Sequence, residues 1–163
     1  MSASKGGTME QPDPENQFQV EHVALLLRSY RELTGQDLIP GSFDREQEAR
    51  LLFEAPFFAA SHDGGEDPVL TYGNRAALEL FELTWDEFTS TPSRFTAEEP
   101  ERGERERLLE AVTRQGYIDD YSGIRISKSG RRFEIRNATV WNLLDPSGAK
   151  VGQAATFNTW RYL

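Results

Sequence analysis

Hydrophobic and polar positions alternate with two different rhythms along this chain. Val20, Val23, Ala24, Leu27, Tyr30 and Leu33 recur at helical spacing, and Leu25 and Leu26 widen the stripe beyond one face. The spacing predicts a helix that begins at Asp13 or Asn16, either of which can cap it, and runs to Thr34, where Gly35 stops it. Arg45–Glu54 reads as a second, shorter helix. Residues 56–61 and 68–72 read as two short strands joined by a Gly- and Asp-rich loop. Asn74 then opens a helix over 75–83 that buries Ala76, Ala77, Leu80 and Phe81, and Thr84 caps the turn Trp85–Phe88. Residues 92–100 show no period. Residues 101–115 form a charged helix with Leu108, Leu109 and Val112 facing inward, and Gly116 ends it.

The last third changes to strand rhythm. Tyr117–Ile126, Arg132–Leu144 and 150–160 are rich in aromatic and β-branched residues and are separated by turns at 127–130 and 145–148. These three runs form an antiparallel meander, which the two early strands must join. The expected fold is α+β: a five-stranded antiparallel sheet with helices on one face and the N-terminal helix on the other. Residues 1–15 are expected to be a disordered tail, 16–54 a helical extension and 55–163 the domain proper.

Strand alternation assigns the faces. In Arg132–Leu144 the charged residues Arg132, Glu134 and Arg136 are even-numbered, so Phe133, Ile135, Asn137, Thr139 and Trp141 should face the helices. By the same reasoning Asp120 and Ser122 share a face with Ile118, Ile124 and Ile126, and Gln153 lies in phase with Val151, Ala155 and Phe157. The inner face would then carry a polar cluster of Asp120, Ser122, Asn137, Thr139 and Gln153, walled by Phe133, Trp141 and Phe157. Buried polar groups need partners. Two readings stand at this point. The groups satisfy one another or ordered water, or they orient a small ligand in an apolar chamber.

The chain has 163 residues and a net charge of −9, which disfavours nucleic acid and anionic membranes as partners. No apolar run is long enough to span a bilayer and no secretory signal is visible, so a cytoplasmic location is expected. With no cysteine, a cysteinyl–flavin adduct and thiolate metal sites are excluded. His22 and His62 are the two imidazoles, and neither lies on the 101–115 helix, which makes haem an unexpected ligand. No metal site is expected.

Several segments together have a familiar form: Ser61-His62, 72–81, 85–94, 116–125, Ser129-Gly130-Arg131-Arg132-Phe133, Ala138-Thr139-Val140-Trp141-Asn142 and 152–160. Over about residues 20–160 the chain resembles the MEKHLA family, a PAS-like group. That family includes stand-alone bacterial proteins and the C-terminal domain of plant class III homeodomain–leucine zipper factors. The resemblance implies a PAS-type sheet that holds ligands between its inner face and the covering helices. It carries no particular ligand, cofactor or reaction.

The expected function is a stand-alone sensory, ligand-binding or protein-interaction domain that signals through helix packing or dimerisation to a partner protein or to its own second copy. The spare apolar area of the first helix suggests a homodimer. One alternative is a dimerisation scaffold with a filled core. Another is a hydrolase or isomerase that uses Asp120 or His62 for acid–base chemistry in the same cavity, although Asp119 and Asp120 point to opposite faces and cannot address one atom together. Arg94 is a candidate for a ligand carboxylate or for an ion pair. Arg102, Arg105 and Arg107, among many glutamates, read as a solvated helix face, and Arg125 as part of a solvated basic turn. His62 reads as a loop-bracing or exposed residue.

Overall fold

The computed structural model describes residues 9–163, so the first eight residues of the expected tail lie outside the described residues. From Met9 the chain is already packed, because the Trp85 indole donates to the Met9 carbonyl at 2.8 Å. Asp13 caps a 3-10 turn, Pro14–Asn16. Gln17, Phe18 and Gln19 then adopt left-handed backbone angles. The first helix therefore begins at Val20 rather than at Asn16. It runs over Val20–Thr34 (α1) and is closed by Gly35 at φ 76°. Asp44 and Gln47 form a reciprocal cap on α2, Arg45–Glu54.

The remaining elements follow the expected order. They are β1 (Phe58–Asp63), β2 (Leu70–Gly73), α3 (Arg75–Phe81), α4 (Trp85–Phe88), a 3-10 turn at Ser93–Thr96, and α5 (Glu99–Gln115). The last strands are β3 (Tyr117–Ile126), β4 (Arg132–Leu144), β5 (Lys150–Phe157) and β6 (Thr159–Tyr162). The run expected as one strand over 150–160 is broken at Asn158. The sheet is antiparallel, in the order β2-β1-β5-β4-β3, with β6 alongside the first half of β4. The second half of β4 pairs with β5, from Thr139 opposite Thr156 to Leu144 opposite Lys150.

Both faces of the sheet are covered. On the inner face, Phe58, Ala60, Phe133, Ile135, Ala138, Val140 and Phe157 pack against Phe81 of α3, Phe88 of α4, and Leu108 and Val112 of α5. On the outer face, Ala59, Tyr72, Trp141, Leu143 and Ala154 pack under Val23 and Leu26 of α1 and Ala49, Leu52 and Phe53 of α2. The broad stripe of α1 is thus taken up by the chain's own sheet. Asn74 ties the layers together. Its carbonyl accepts from Ala59 N and Ala77 N, both at 3.1 Å, and its amide donates to Leu52 O at 3.0 Å and Phe57 O at 2.7 Å.

The expected face assignment holds for only half of β4. Asn137 has φ 53°, a left-handed residue inside a strand, and it shifts the pleat by one position. Phe133 and Ile135 face inward before it. Ala138, Val140 and Asn142 face inward after it, so Trp141 and Leu143 turn to the outer layer. A one-residue slip reverses every later side chain. Asn137 itself is exposed. Thr139 lies against Tyr30 of α1. Trp141 donates to the Leu26 carbonyl at 3.2 Å and meets Tyr30 edge-on, with ring centroids 4.9 Å apart. The expectation that Asn137, Thr139 and Trp141 lie beneath the α3–α5 roof is thereby corrected. Strand β3 is also irregular: its pairing with β4 shifts on both sides of Tyr121. Tyr121 and Arg125 turn inward while Asp120 and Ser122 are exposed, which corrects the expectation for those two residues as well.

Candidate functional site

The inner face and α5 do not close completely on each other. A cavity of about 90 Å3 remains, with Phe58, Leu70, Phe81, Leu108, Val140 and Phe157 among its apolar walls. At ~30 Å3 per water, this space holds roughly three waters. Eight polar residues also line it: Ser61, His62, Ser93, Thr96, Arg105, Tyr121, Arg125 and Gln153. All eight are buried. Four of the lining residues, His62, Arg105, Leu109 and Gln153, also line a surface cleft beside the Asp63–Asp67 loop.

Each polar group reaches this space for a local reason. Arg105 precedes Leu108 and Val112 on the buried stripe of α5, so its guanidinium points where an apolar residue would. It donates to Ser93 Oγ at 2.7 Å. Arg125 donates to the Tyr121 hydroxyl at 3.0 Å, and that hydroxyl donates to Glu104 at 2.8 Å. Gly123 lets the Tyr121 ring fold back across the strand, since a Cβ at Gly123 would overlap the ring and its hydroxyl. Among the described residues, neither Arg105 nor Arg125 forms an ion pair. Burial, with the nearby Arg125 charge adding to it, lowers the pKa of Arg105 to about 10, so its guanidinium remains charged at neutral pH.

His62 bonds the Asp63 carbonyl through Nδ1 at 2.8 Å. A carbonyl only accepts, so Nδ1 carries the proton and Nε2 is a bare acceptor. Nε2 is buried and has no partner among the described residues. Burial, aided by the Arg105 charge and opposed by the Asp63 bond, lowers the His62 pKa to about 4, so the ring is neutral at pH 7. The Tyr72 hydroxyl is the other buried polar atom that lacks a partner, and burial raises its pKa. It belongs to the outer layer, where its ring stacks on His22 at 5.7 Å.

Amides clamp the C-terminal half of α5 to the sheet. Asn142 donates to Val112 O at 3.0 Å. Gln153 donates to Leu109 O, Thr113 Oγ1 and Asn142 Oδ1, each at 3.1 Å. Of the residues expected at the site, Gln153 and Phe157 line the cavity, and Phe133 lies in the same core against Phe81. Arg94 lies in the outer cleft, paired with Asp67. Asp120, Ser122, Asn137, Thr139 and Trp141 are not brought to the cavity. Arg105, Arg125, Tyr121, Ser93 and His62 take their places. The signal for Arg105 was its helical spacing to Leu108 and Val112, which sets it apart from the flanking arginines.

A profile of the MEKHLA domain matches residues 20–162. The homeobox-leucine zipper protein ATHB-14 of Arabidopsis thaliana is 27% identical over 146 residues, which cover 86% of this chain and 17% of that protein. The chain thus spans about a sixth of the length of that relative. Among solved structures, a PAS domain from Colwellia psychrerythraea superposes with a TM-score of 0.59 at 15% identity, covering 72% of this chain and 95% of that one. A Light-Oxygen-Voltage domain studied with a flavin analogue gives 0.57 at 15% identity, covering 76% and 88%. These two similarities show the fold.

Proposed function

This chain belongs to the MEKHLA domain family, and from that premise we propose that it is a small-molecule sensor whose ligand occupies the cavity between α5 and the inner sheet face. The observation that carries this reading is the cavity itself. It places eight buried polar residues among aromatic and aliphatic walls, beside a helix whose C-terminal half is clamped to the sheet by amides. A few converging polar groups in an apolar recess are the usual form of a ligand site. A ligand that favours one packing of α5 over another shifts the population of the two, which is how a module without its own catalytic step transmits a signal. The output passes from α5 to a signalling protein or to a second copy of the chain.

A flavin does not fit here. Ligand pockets for molecules of drug size have volumes of about 300–1,000 Å3, against about 90 Å3 in this chain. There is also no cysteine to form an adduct. Enzymatic use of the cavity would call for a second acid–base group beside His62, and Asp120 does not line it.

Native mass spectrometry on protein purified under mild conditions is the direct test. A retained small mass, lost on denaturation, is the expected result, together with slower hydrogen exchange in α5 in the loaded form. Absence of any retained mass, combined with a high-resolution map showing water alone in the cavity, refutes the sensing role.

A further inference from the structure

We propose that the cavity selects a short hydroxycarboxylate. Its carboxylate would lie on the Arg105 and Arg125 guanidiniums, its hydroxyl would donate to His62 Nε2, and its short carbon chain would pack on Phe58 and Val140. This deepens the sensing role proposed for the same cavity and rests on it.

The charge balance points to an anion. Two buried guanidiniums face one small space, and no carboxylate among the described residues pairs with either. Glu104 comes nearest in the bonding network and is separated from Arg125 by the Tyr121 hydroxyl. A buried charge without a counter-charge is unfavourable, and a planar oxyanion fits the guanidinium fork better than a spherical one. The hydroxyl follows from the tautomer of His62. Nδ1–H is committed to Asp63 O, so the orphaned Nε2 can only accept. A plain carboxylate offers it nothing, whereas a ligand hydroxyl satisfies it. The volume limits the chain: about 90 Å3 admits a molecule of a few carbons and excludes a nucleotide or an aromatic ring system.

The test uses the full chain and four probes followed by heteronuclear NMR titration: lactate, propionate, lactamide and inorganic phosphate. Lactate is expected to bind saturably, with shifts at Arg105, His62 and Val140. Propionate, which lacks the hydroxyl, is expected about tenfold weaker, the worth of one buried hydrogen bond of about 1.4 kcal/mol. Lactamide and phosphate should show no saturable shift. Arg105→Gln and, independently, Arg125→Gln should each weaken lactate at least tenfold, with folding checked by circular dichroism. His62→Phe should leave lactate and propionate equal.

Lactamide binding as tightly as lactate, or both arginine variants retaining lactate affinity, overturns the anion assignment. Propionate binding as tightly as lactate in the wild type overturns the hydroxyl. Failure of all four probes overturns the inference as a whole. A neutral mass retained in native mass spectrometry would then leave the sensing role standing without it, and no retained mass would remove both.

Discussion

Replacing Asn74 with alanine should cost this fold more than any other single polar substitution on the outer side of the sheet. The side chain is fully buried and makes four hydrogen bonds, to β1, to the end of α2, to the segment between them and to the first turn of α3. Asn74→Ala leaves the Ala59 and Ala77 N–H groups buried without acceptors, at roughly 1.5 kcal/mol each, and removes one bond from each of two carbonyls, at roughly 0.5 kcal/mol each. The Leu52 carbonyl keeps a bond from Ala55 N, which is why the smaller figure applies there. The sum is about 4 kcal/mol, against a typical total stability of about 5–15 kcal/mol. With a urea slope of about 2 kcal/mol per molar, the midpoint falls by about 2 M while the slope is unchanged. Tryptophan fluorescence reports the transition, since Trp85 and Trp141 are buried in the layer that Asn74 ties down. Asn74→Asp keeps both accepting functions but sets a carboxylate oxygen against two carbonyls, so at pH 7 it should be at least as damaging as alanine. A loss below 1 kcal/mol for alanine, or wild-type stability for aspartate, would refute the role given to this residue.

His22 and His62 both have native pKa values lowered by burial to about 4, below the ordinary 6.5. The unfolded chain takes up these protons first, so stability present above pH 6.5 is lost as pH falls toward 4, by up to about 3 kcal/mol for each residue. Urea unfolding at pH 7 and pH 5 measures this loss, and a double variant with glutamine at both positions should flatten it; equal slopes in the two proteins would contradict it. Arg105→Met removes an unpaired buried cation and should raise the melting temperature of the unliganded protein by about 3 °C, corresponding to about 1 kcal/mol. A lower melting temperature in calorimetry would show that the guanidinium is already compensated within the fold. Asn137→Val places a β-branched residue at φ 53° and should cost about 1–2 kcal/mol in urea unfolding, whereas Asn137→Gly should not destabilise. Equal stability of the two variants would show that the left-handed kink is dispensable.

The periodic parts of this fold were legible from sequence, and the interruptions were not. The bounds of α2, β3 and β4 follow directly from hydrophobic rhythm, because burial on a defined face dictates which residue types recur. The order of the elements and the antiparallel sheet were legible for the same reason. The kink at Asn137 was not, since asparagine tolerates left-handed angles without requiring them and no glycine marks the position. That one residue moved Thr139 and Trp141 to the opposite layer and carried the expected polar cluster with them. The irregular pairing around Tyr121 had the same effect on Asp120 and Ser122. Gln153 and Phe157 were placed on the inner face because β5 keeps a regular alternation there. Arg105 and Arg125 were read as solvated because charged residues usually are, and His62 as a loop-bracing or exposed residue, which fits its bond to the Asp63 carbonyl but not its place in the cavity wall. The spacing of Arg105 to Leu108 and Val112 was a local signal of its burial, whereas the burial of Arg125 and His62 depends on a space that forms only when α5 and the sheet come together.

The amide clamp on the C-terminal half of α5 gives the helix mechanical gearing. Asn142 and Gln153 hold its carbonyls at Leu109, Val112 and Thr113, which act as a fulcrum. At ~1.5 Å of rise per residue, Arg105 lies about 10 Å from Val112 along the axis, and Glu99 about 20 Å. A push of about 1 Å at Arg105 therefore swings the far end of the helix by about 2 Å. That end is fastened by the exposed Glu98–Arg132 ion pair and the half-buried Arg102 bonds to the Arg94 and Ala97 carbonyls, and nearer the cavity by the Glu104–Tyr121 and Arg105–Ser93 bonds. An exposed ion pair yields at little cost, so a ligand of a few atoms at the proposed site would displace the protein surface by more than it displaces its own surroundings.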